Sequence, residues 1–427
     1  MNAAPELKVH RSITKALKLF DADRLRWLDE AAAVGPVVAL RLGPAKAWVV
    51  TDPEAARTML LGDSSSWIRP PTALAPIRIG VGENLFTQSE KAWGRLQPFV
   101  APAFRRRALE ARLDAMPALI DDEVRAIPLD TTVDLELALG RIALILAAWV
   151  LLGERLDRAR AEEIAHHQRE VVGWVGERLG ELTGFIPIAL GARGRAMKQH
   201  RAVLNRYADE VIARAQATGA ERDDVLGALM HARPRGRALS PDELRGHVLG
   251  LFLAGNETTG AALAWTLVQG ARAPDEWAKV RVDPDAHTLP FLNETLRVSP
   301  AVWGIPRVPA RAGVTIAAAG ITTRVRRGQV STVYLRGINR DANLWPDPLR
   351  FDPSREHSEA KESQRSLIPF GLGPRGCIGQ HLAMAELNAV LPALARHGNV
   401  TLEGPIVEDA SFALRIRGGL RGRFCAA

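Results

Sequence analysis

The stretch Phe370-Gly371-Leu372-Gly373-Pro374-Arg375-Gly376-Cys377-Ile378-Gly379 constrains this chain more than any other. Cys377 is one of two cysteines in 427 residues, and it is set among glycines and a proline. Such a density of glycine and proline makes a tight loop whose backbone can approach a large flat ligand closely. Downstream, the spacing of Ile378, Leu382, Ala385 and Leu387 predicts a helix with one apolar side. Cys377 is thereby expected at a helix N-terminus, where unpaired N–H groups and the helix dipole favour thiolate over thiol. A thiolate on a Gly-rich loop, with Arg375 two residues before it, is suited to holding a haem iron.

Three other readings compete. Gly371, Gly373 and Gly376 spell G-x-G-x-x-G, but the dinucleotide fingerprint needs a preceding strand and an acid about 20 positions on. Val390–His397 contains no acid, and too little chain remains for a dinucleotide-binding sheet. Cys377 and His381 offer two zinc ligands, yet no Cys-x-x-Cys or second pair completes the set. A buried structural cysteine is the default for an isolated residue of this type, and the flanking pattern argues against it. The stretch matches F-G-x-G-x-R-x-C-x-G at every fixed position, and so resembles the haem-binding signature of the cytochrome P-450 family.

Composition bounds the rest. Hydrophobic residues at 47% and charged residues at 24% suit a globular protein with a substantial core. The other cysteine, Cys425, gives no disulfide framework, which fits a reducing cytoplasm. Met1–Phe20 is polar and basic, without the apolar stretch of a signal peptide or membrane anchor. The longest apolar run, Ile142–Leu152, is shorter than the roughly 20 residues a span requires and is expected as a buried helix. A soluble, cytoplasmic protein is expected. Net charge is +8, with clusters at Arg105–Arg107 and at Arg324, Arg326 and Arg327. Such clusters are either solvated faces or docking sites for an acidic partner; no nucleic-acid motif accompanies them.

Taken in order, the chain predicts a helix over 12–32 and a hairpin from Val37–Leu42 and Ala47–Thr51. Ser64–Ser89 reads as a long Pro/Gly-rich connection, too apolar for disorder and suited to a flap over an apolar pocket. From Arg105 to about Ala232 the pattern is helical, and Gly180–Arg195 suits a mobile lid loop. Ser240-Pro241-Asp242-Glu243 is a helix start with a capping box, and its helix runs to about Gly270. The middle of that helix, Ala254-Gly255-Asn256-Glu257-Thr258-Thr259-Gly260, places polar residues where burial is expected. Ala254 and Thr258 share a face, so the Thr258 hydroxyl can lean on the carbonyl at 254. By the residues alone this is either a kinked core helix or a proton-handling site. Glu294 and Arg297 share one helix face, a weak signal by itself.

The resemblance implies more. Ala254–Thr259 is similar to the family's acid–alcohol motif, in which Glu257 and Thr258 would be catalytic, relaying protons during dioxygen activation. Glu294, Arg297 and Arg350 would form a structural Glu–Arg–Arg cluster beneath the cysteine loop. Trp93 and position 97 would reach haem propionates. The family often has arginine at the latter, whereas Gln97 supplies no charge. Arg307 would bind a propionate, and Phe370, Gly371, Arg375, Cys377 and Gly379 would surround the cofactor, with Cys377 as the iron ligand. Ala254, Val302, Trp303, Ile305 and Phe412 would line the substrate pocket.

The expected fold is mainly α with small β-sheets, one haem-binding domain over residues 1–427, with haem b between the central helix and the cysteine loop. The expected activity is insertion of one dioxygen atom into a hydrophobic substrate, hydroxylation above all. No flavin or reductase segment is attached, so electrons are expected from a ferredoxin and its NAD(P)H-dependent reductase. Oxidative coupling or peroxide-driven chemistry, and a non-catalytic haem sensor, are the alternatives; the Glu257–Thr258 pair speaks against both.

Overall fold

A computed structural model describes residues 4–62, 65–180, 191–218, 222–355 and 366–426. Strand β1 (Glu6–His10) is followed by α1 (Ile13–Ala22) and α2 (Arg24–Val34), where one helix was expected. Asp23 divides them: its side chain accepts a hydrogen bond from the Arg26 N–H at 3.2 Å and so caps a new helix. The expected hairpin is β2 (Val37–Leu42) and β3 (Ala45–Val50), paired antiparallel, with α3 (Pro53–Leu61) after it.

The connection expected over Ser64–Ser89 contains β4 (Trp67–Ile68) and a helix, α4 (Pro71–Val81). Pro71 occupies the first helical turn, where its missing N–H is harmless. Leu74, Ile77 and Val81 are buried on one face, and that burial outweighs the cost of Pro76 within the helix. Next come α5 (Glu90–Val100), α6 (Arg106–Asp114), α7 (Met116–Arg125), β5 (Val133–Asp134) and α8 (Leu135–Leu152). Helix α8 carries the longest apolar run. By length and composition it is the one candidate for a membrane span among the described residues, and most of it is buried in the core.

The long helices α9 (Arg158–Gly180) and α10 (Gly191–Ala217) pack on each other. The lid expected around Gly180–Arg195 centres on 181–190, outside the described residues. After α11 (Val225–His231), the 32-residue α12 (Pro241–Arg272) runs through the middle of the molecule. Its start is as expected: Ser240 Oγ accepts from the Glu243 N–H, and the Glu243 carboxylate accepts from the Ser240 N–H. Helix α12 packs most extensively on α8. The two come so close that a Cβ on Gly260 would lie 3.4 Å from Gly140 Cα.

Beyond α12 follow α13 (Pro274–Val282), α14 (Pro284–Val298), β6 (Ile305–Pro309), β7 (Thr315–Ala318), β8 (Ile321–Arg324), β9 (Ser331–Val333) and α15 (Leu335–Asn339). Helix α16 (Gln380–His397) precedes the last strands, β10 (Asn399–Leu402), β11 (Glu408–Ala410), β12 (Leu414–Ile416) and β13 (Arg421–Cys425). The largest sheet has the order β1-β2-β3-β9-β6-β4, and smaller ones join β10-β13-β5, β11-β12 and β7-β8. The fold is thus mainly α with small β-sheets, and α12 crosses its centre.

Candidate functional site: the cysteine loop and the central helix

The cysteine loop is held by its own backbone. The Cys377 N–H donates to the Phe370 carbonyl at 2.8 Å, the Gly376 N–H to Gly373 at 2.9 Å, and the Gly371 N–H to Ile368 at 3.0 Å. Gly371 and Gly373 have φ of 69° and 73°, a left-handed backbone that side chains with a Cβ adopt at a cost. At Gly373 a Cβ would also lie 2.4 Å from the Leu60 carbonyl oxygen, so the loop rests directly on the end of α3. At Gly379 a Cβ would lie 3.8 Å from the Phe104 ring.

One expectation about Cys377 needs correction. Helix α16 begins at Gln380 with Gly379 as its cap, so Cys377 lies just outside the helix. Its side chain is exposed, yet enough protein surrounds it that burial pushes the thiol up, opposed only by a hydrogen bond from the Gly379 N–H. The loop by itself does not create a thiolate; a bound metal cation would do so outright.

Beside the loop lies a knot of cations. Arg375 donates to Glu90 from Nε and Nη2 at 3.0 and 2.6 Å, and its guanidinium stacks 4.3 Å from the centre of the Trp93 ring. Arg69 and Arg307 interact with the same Arg375 and Glu90. Burial and then Arg375 push Arg69 down to about 9; burial chiefly pushes Arg307 down to about 10. Among the described residues, the buried Arg69 Nε and Arg375 Nη1 have no hydrogen-bond partner. Three guanidiniums around one carboxylate, with donors left over, are a receptor for further anions. Gln97 is half-buried one turn beyond Trp93 and supplies no charge. A sulfur ligand for iron next to spare guanidiniums for carboxylates fits a haem.

Helix α12 carries the second part. The Thr258 hydroxyl donates to the Ala254 carbonyl at 2.8 Å, as their spacing predicts. Glu257 points the other way, toward Arg415 of β12 at 3.8 Å. Arg415 is shared with Glu136, whose carboxylate accepts from Nε at 3.1 Å. Burial alone would lower Arg415, but Glu257 and Glu136 together raise it. Burial also raises Glu136, the Arg415 charge only partly offsetting it. A small cavity of about 30 Å³, lined by Glu136, Gly140, Asn256, Glu257, Gly260 and Arg415, adjoins these groups. On the same helix, Thr259 donates at 3.1 Å to Glu386 of α16, a fully buried acid that desolvation pushes up to about 8. Glu386 is therefore largely protonated at neutral pH.

The Glu–Arg cluster differs from expectation at its third member. Glu294 and Arg297 are completely buried and paired at 2.7 Å. The arginine that joins them is Arg355, whose Nε reaches Glu294 at 3.1 Å. The Arg350 side chain is exposed; that residue contributes its carbonyl oxygen, which accepts from Arg297 at 3.2 Å. The turn before Arg355 decides this: the Asp352 N–H donates to Glu294 at 2.9 Å and brings Arg355 inward.

Placement of the expected pocket residues is mixed. Ile305 faces the cysteine loop, 3.4 Å from where a Gly371 Cβ would be. Val302 and Ile305 pack with the sheet's hydrophobic cluster, apart from the main core. Trp303 is half-buried and donates to the Ser411 carbonyl at 3.2 Å. Phe412 lies in the β11–β12 turn, edge-on to Phe86 at 6.4 Å. Ala254 is half-buried on the Thr258 face of α12. Sequence reasoning missed Arg69, Glu90, Arg355 and Arg415, each of which meets its partner through the fold and not through local spacing.

The Cytochrome P450 family model matches residues 24–408. The chain belongs to the cytochrome P450 family. It is a P450 monooxygenase, an oxidoreductase of a haem- and iron-dependent family. Cyclooctat-9-en-7-ol 5-monooxygenase of Streptomyces melanosporofaciens is 26% identical over 399 residues, covering 87% of this chain and 84% of the relative. A bifunctional cytochrome P450/NADPH–P450 reductase of Fusarium oxysporum is 26% identical over 93% of this chain and 39% of its own length. Among solved structures, retinoic acid-bound cyanobacterial CYP120A1 superposes with a TM-score of 0.82 over 100% of both chains, at 21% identity. P450s need a redox partner, and in the Fusarium relative a reductase is part of the same chain.

Proposed function

We propose that residues 1–427 act as one haem-b-binding unit that inserts an oxygen atom from dioxygen into a hydrophobic substrate, most simply as a hydroxylation. The carrying observation is the junction of Cys377 with the Arg69–Arg307–Arg375 knot. When bound, the haem supplies the one-electron and dioxygen chemistry. Cys377 Sγ would ligate the iron, and the guanidiniums with Trp93 would hold the propionates and fix the ring's orientation. The relative named for cyclooctat-9-en-7-ol, and the retinoic acid bound to the structural neighbour, favour a hydrophobic substrate. Ala254, Val302, Trp303 and Phe412 are the proposed lining. Ile305 is better read as a support of the loop, given its contact at Gly371.

Glu257 and Thr258 are the proposed proton carriers. The Thr258 hydroxyl, turned away from the Ala254 carbonyl, can hand on a proton on its own face of the helix. The Glu257 carboxylate adjoins the small cavity and is held loosely by Arg415.

Electrons are proposed to come from a separate ferredoxin and its NAD(P)H-dependent reductase in the cytoplasm. Arg105, Arg106 and Arg107 are exposed and follow Phe104, which faces Gly379 of the cysteine loop. An acidic ferredoxin would be steered to this side. Its reduction rate should fall with salt as the screening length drops to about 8 Å at 0.15 M. A rate indifferent to ionic strength removes that docking face.

The test of the reading as a whole is Cys377→Ser. The reduced carbon monoxide complex should lose the long-wavelength Soret band given by a thiolate ligand, while Cys425→Ser keeps it. Retention of that band in Cys377→Ser overturns the assignment.

A further inference from the structure

Away from the cysteine loop, three histidines meet between α9 and α10. His166 and His167 lie on α9, and His200 on α10. Successive helix residues ordinarily diverge by about 100°, yet here α10 brings His200 to both. Ring centres are 5.3 Å apart for His166–His167, 5.4 Å for His166–His200 and 5.0 Å for His167–His200. The Nδ1 atoms of His167 and His200 are 2.8 Å apart, and one ligating nitrogen from each of the three rings lies within 4.8 Å of the others.

Two Nδ1 atoms at hydrogen-bond distance mean that one donates and the other accepts, so at least one ring is neutral. Burial, and then the neighbouring imidazoles His200 and His166, lower His167 further. Glu163 opposes that lowering, and Arg206 of α10 adds to it. Glu163 is itself paired with Arg160 at 2.7 Å, which leaves the imidazoles as the ligating groups. Neutral imidazoles select borderline cations, whereas Mg²⁺ and Ca²⁺ require oxygen ligands. Tetrahedral Zn²⁺ with bonds near 2.0–2.1 Å places nitrogens about 3.3 Å apart. The close pair needs to open by roughly half an ångström to admit it, and the exposed His166 can swing in.

We propose that His166, His167 and His200 form a site for a late first-row divalent metal such as Zn²⁺, with a water in the fourth position. The metal would clip α9 to α10. The next residue, Gln168, accepts a hydrogen bond from Asn256 of α12 at 2.6 Å, and Asn256 is adjacent to Glu257. A metal at the surface thereby steadies the helix against which the proposed proton carriers are set. The site is independent of the haem reading.

The test uses the haem-loaded, tag-free protein after chelation and dialysis. Titration with Zn²⁺ by calorimetry should show one ion per chain. His200→Gln and His166→Gln should each weaken binding about tenfold or more, and the triple His166→Gln/His167→Gln/His200→Gln variant should abolish it. His287→Gln, on α14, should bind as the parent does. Zn²⁺ should raise the Tm of the parent, raise that of His200→Gln less, and leave that of the triple variant unchanged. Because His166 is exposed, His166→Gln keeps the fold and remains informative if His200→Gln does not express. Absence of a stoichiometric ion in the parent, or undiminished binding in His166→Gln, overturns the proposal.

Discussion

Two Glu–Arg pairs in this molecule, one wholly and one partly buried, are built in opposite ways. Glu294–Arg297 is sealed: both side chains are wholly buried, and Arg297 also donates to the carbonyls of Asn339, Pro348 and Arg350. Glu294 in turn accepts from Arg355 and from the Asp352 N–H. Every charge has a partner, which is the condition under which a buried pair is tolerated. Glu257–Arg415 is loose. Its atoms are 3.8 Å apart, Arg415 is shared with Glu136, and a cavity adjoins it. A sealed pair fixes a shape, whereas a loose one beside a cavity can change partners and pass a proton.

The largest expected effect comes from breaking the sealed pair. Glu294→Ala leaves the Arg297 guanidinium buried without its counter-ion, a loss of about 3–5 kcal/mol. Thermal unfolding and haem content should both collapse. A variant that folds and loads like the parent would show that the pair is dispensable.

The loose pair should answer in rate and not in stability. Glu257→Gln is expected to slow product formation on the order of 10²-fold, while stability changes by less than about 1 kcal/mol, since Arg415 keeps Glu136. Thr258→Ala should keep substrate binding and NAD(P)H consumption but divert more electrons to hydrogen peroxide. Product formed per NAD(P)H is the quantity to follow; parental yields in both variants would remove these residues from the proton path.

The smallest effect tests the third arginine. Arg350→Ala should stay within about 0.5 kcal/mol of the parent because its side chain is exposed. Arg355→Ala removes a hydrogen bond to a buried carboxylate and should cost about 1–3 kcal/mol. Urea denaturation of the two variants decides between them, and the reverse order would restore Arg350 to the cluster.

What was legible in the sequence was whatever is set by neighbours along the chain. The capping box at Ser240 and Glu243, the Thr258–Ala254 bond and the Glu294–Arg297 pair all depend on spacings of three or four residues. The cysteine loop was legible because its glycines and proline carry the backbone geometry themselves. Hidden features needed the fold. Glu90 and Arg375 are separated by 285 positions, and no periodicity links them. Helix α4 was hidden by its prolines, since only the buried contacts of Leu74, Ile77 and Val81 stabilise a helix there. Arg350 misled because the chain turns just after it, and a turn exchanges which side chain faces inward.

The crossing of α8 and α12 has a consequence for how this protein balances firmness against room. A Cβ built on Gly140 would meet no atom within 4 Å, although the residue sits inside a helix. Alanine there would be tolerated sterically and would favour the helix by about 0.5–1 kcal/mol. Its methyl group would occupy open space at a residue that lines the cavity beside Glu257. That cavity has room for one or two waters, so a single methyl is comparable in size with its whole contents. The chain thus forgoes an inexpensive gain in rigidity and keeps an open niche next to an acid. Gly140 acts as an aperture stop, a place where one carbon atom sets how much room is left beside Glu257.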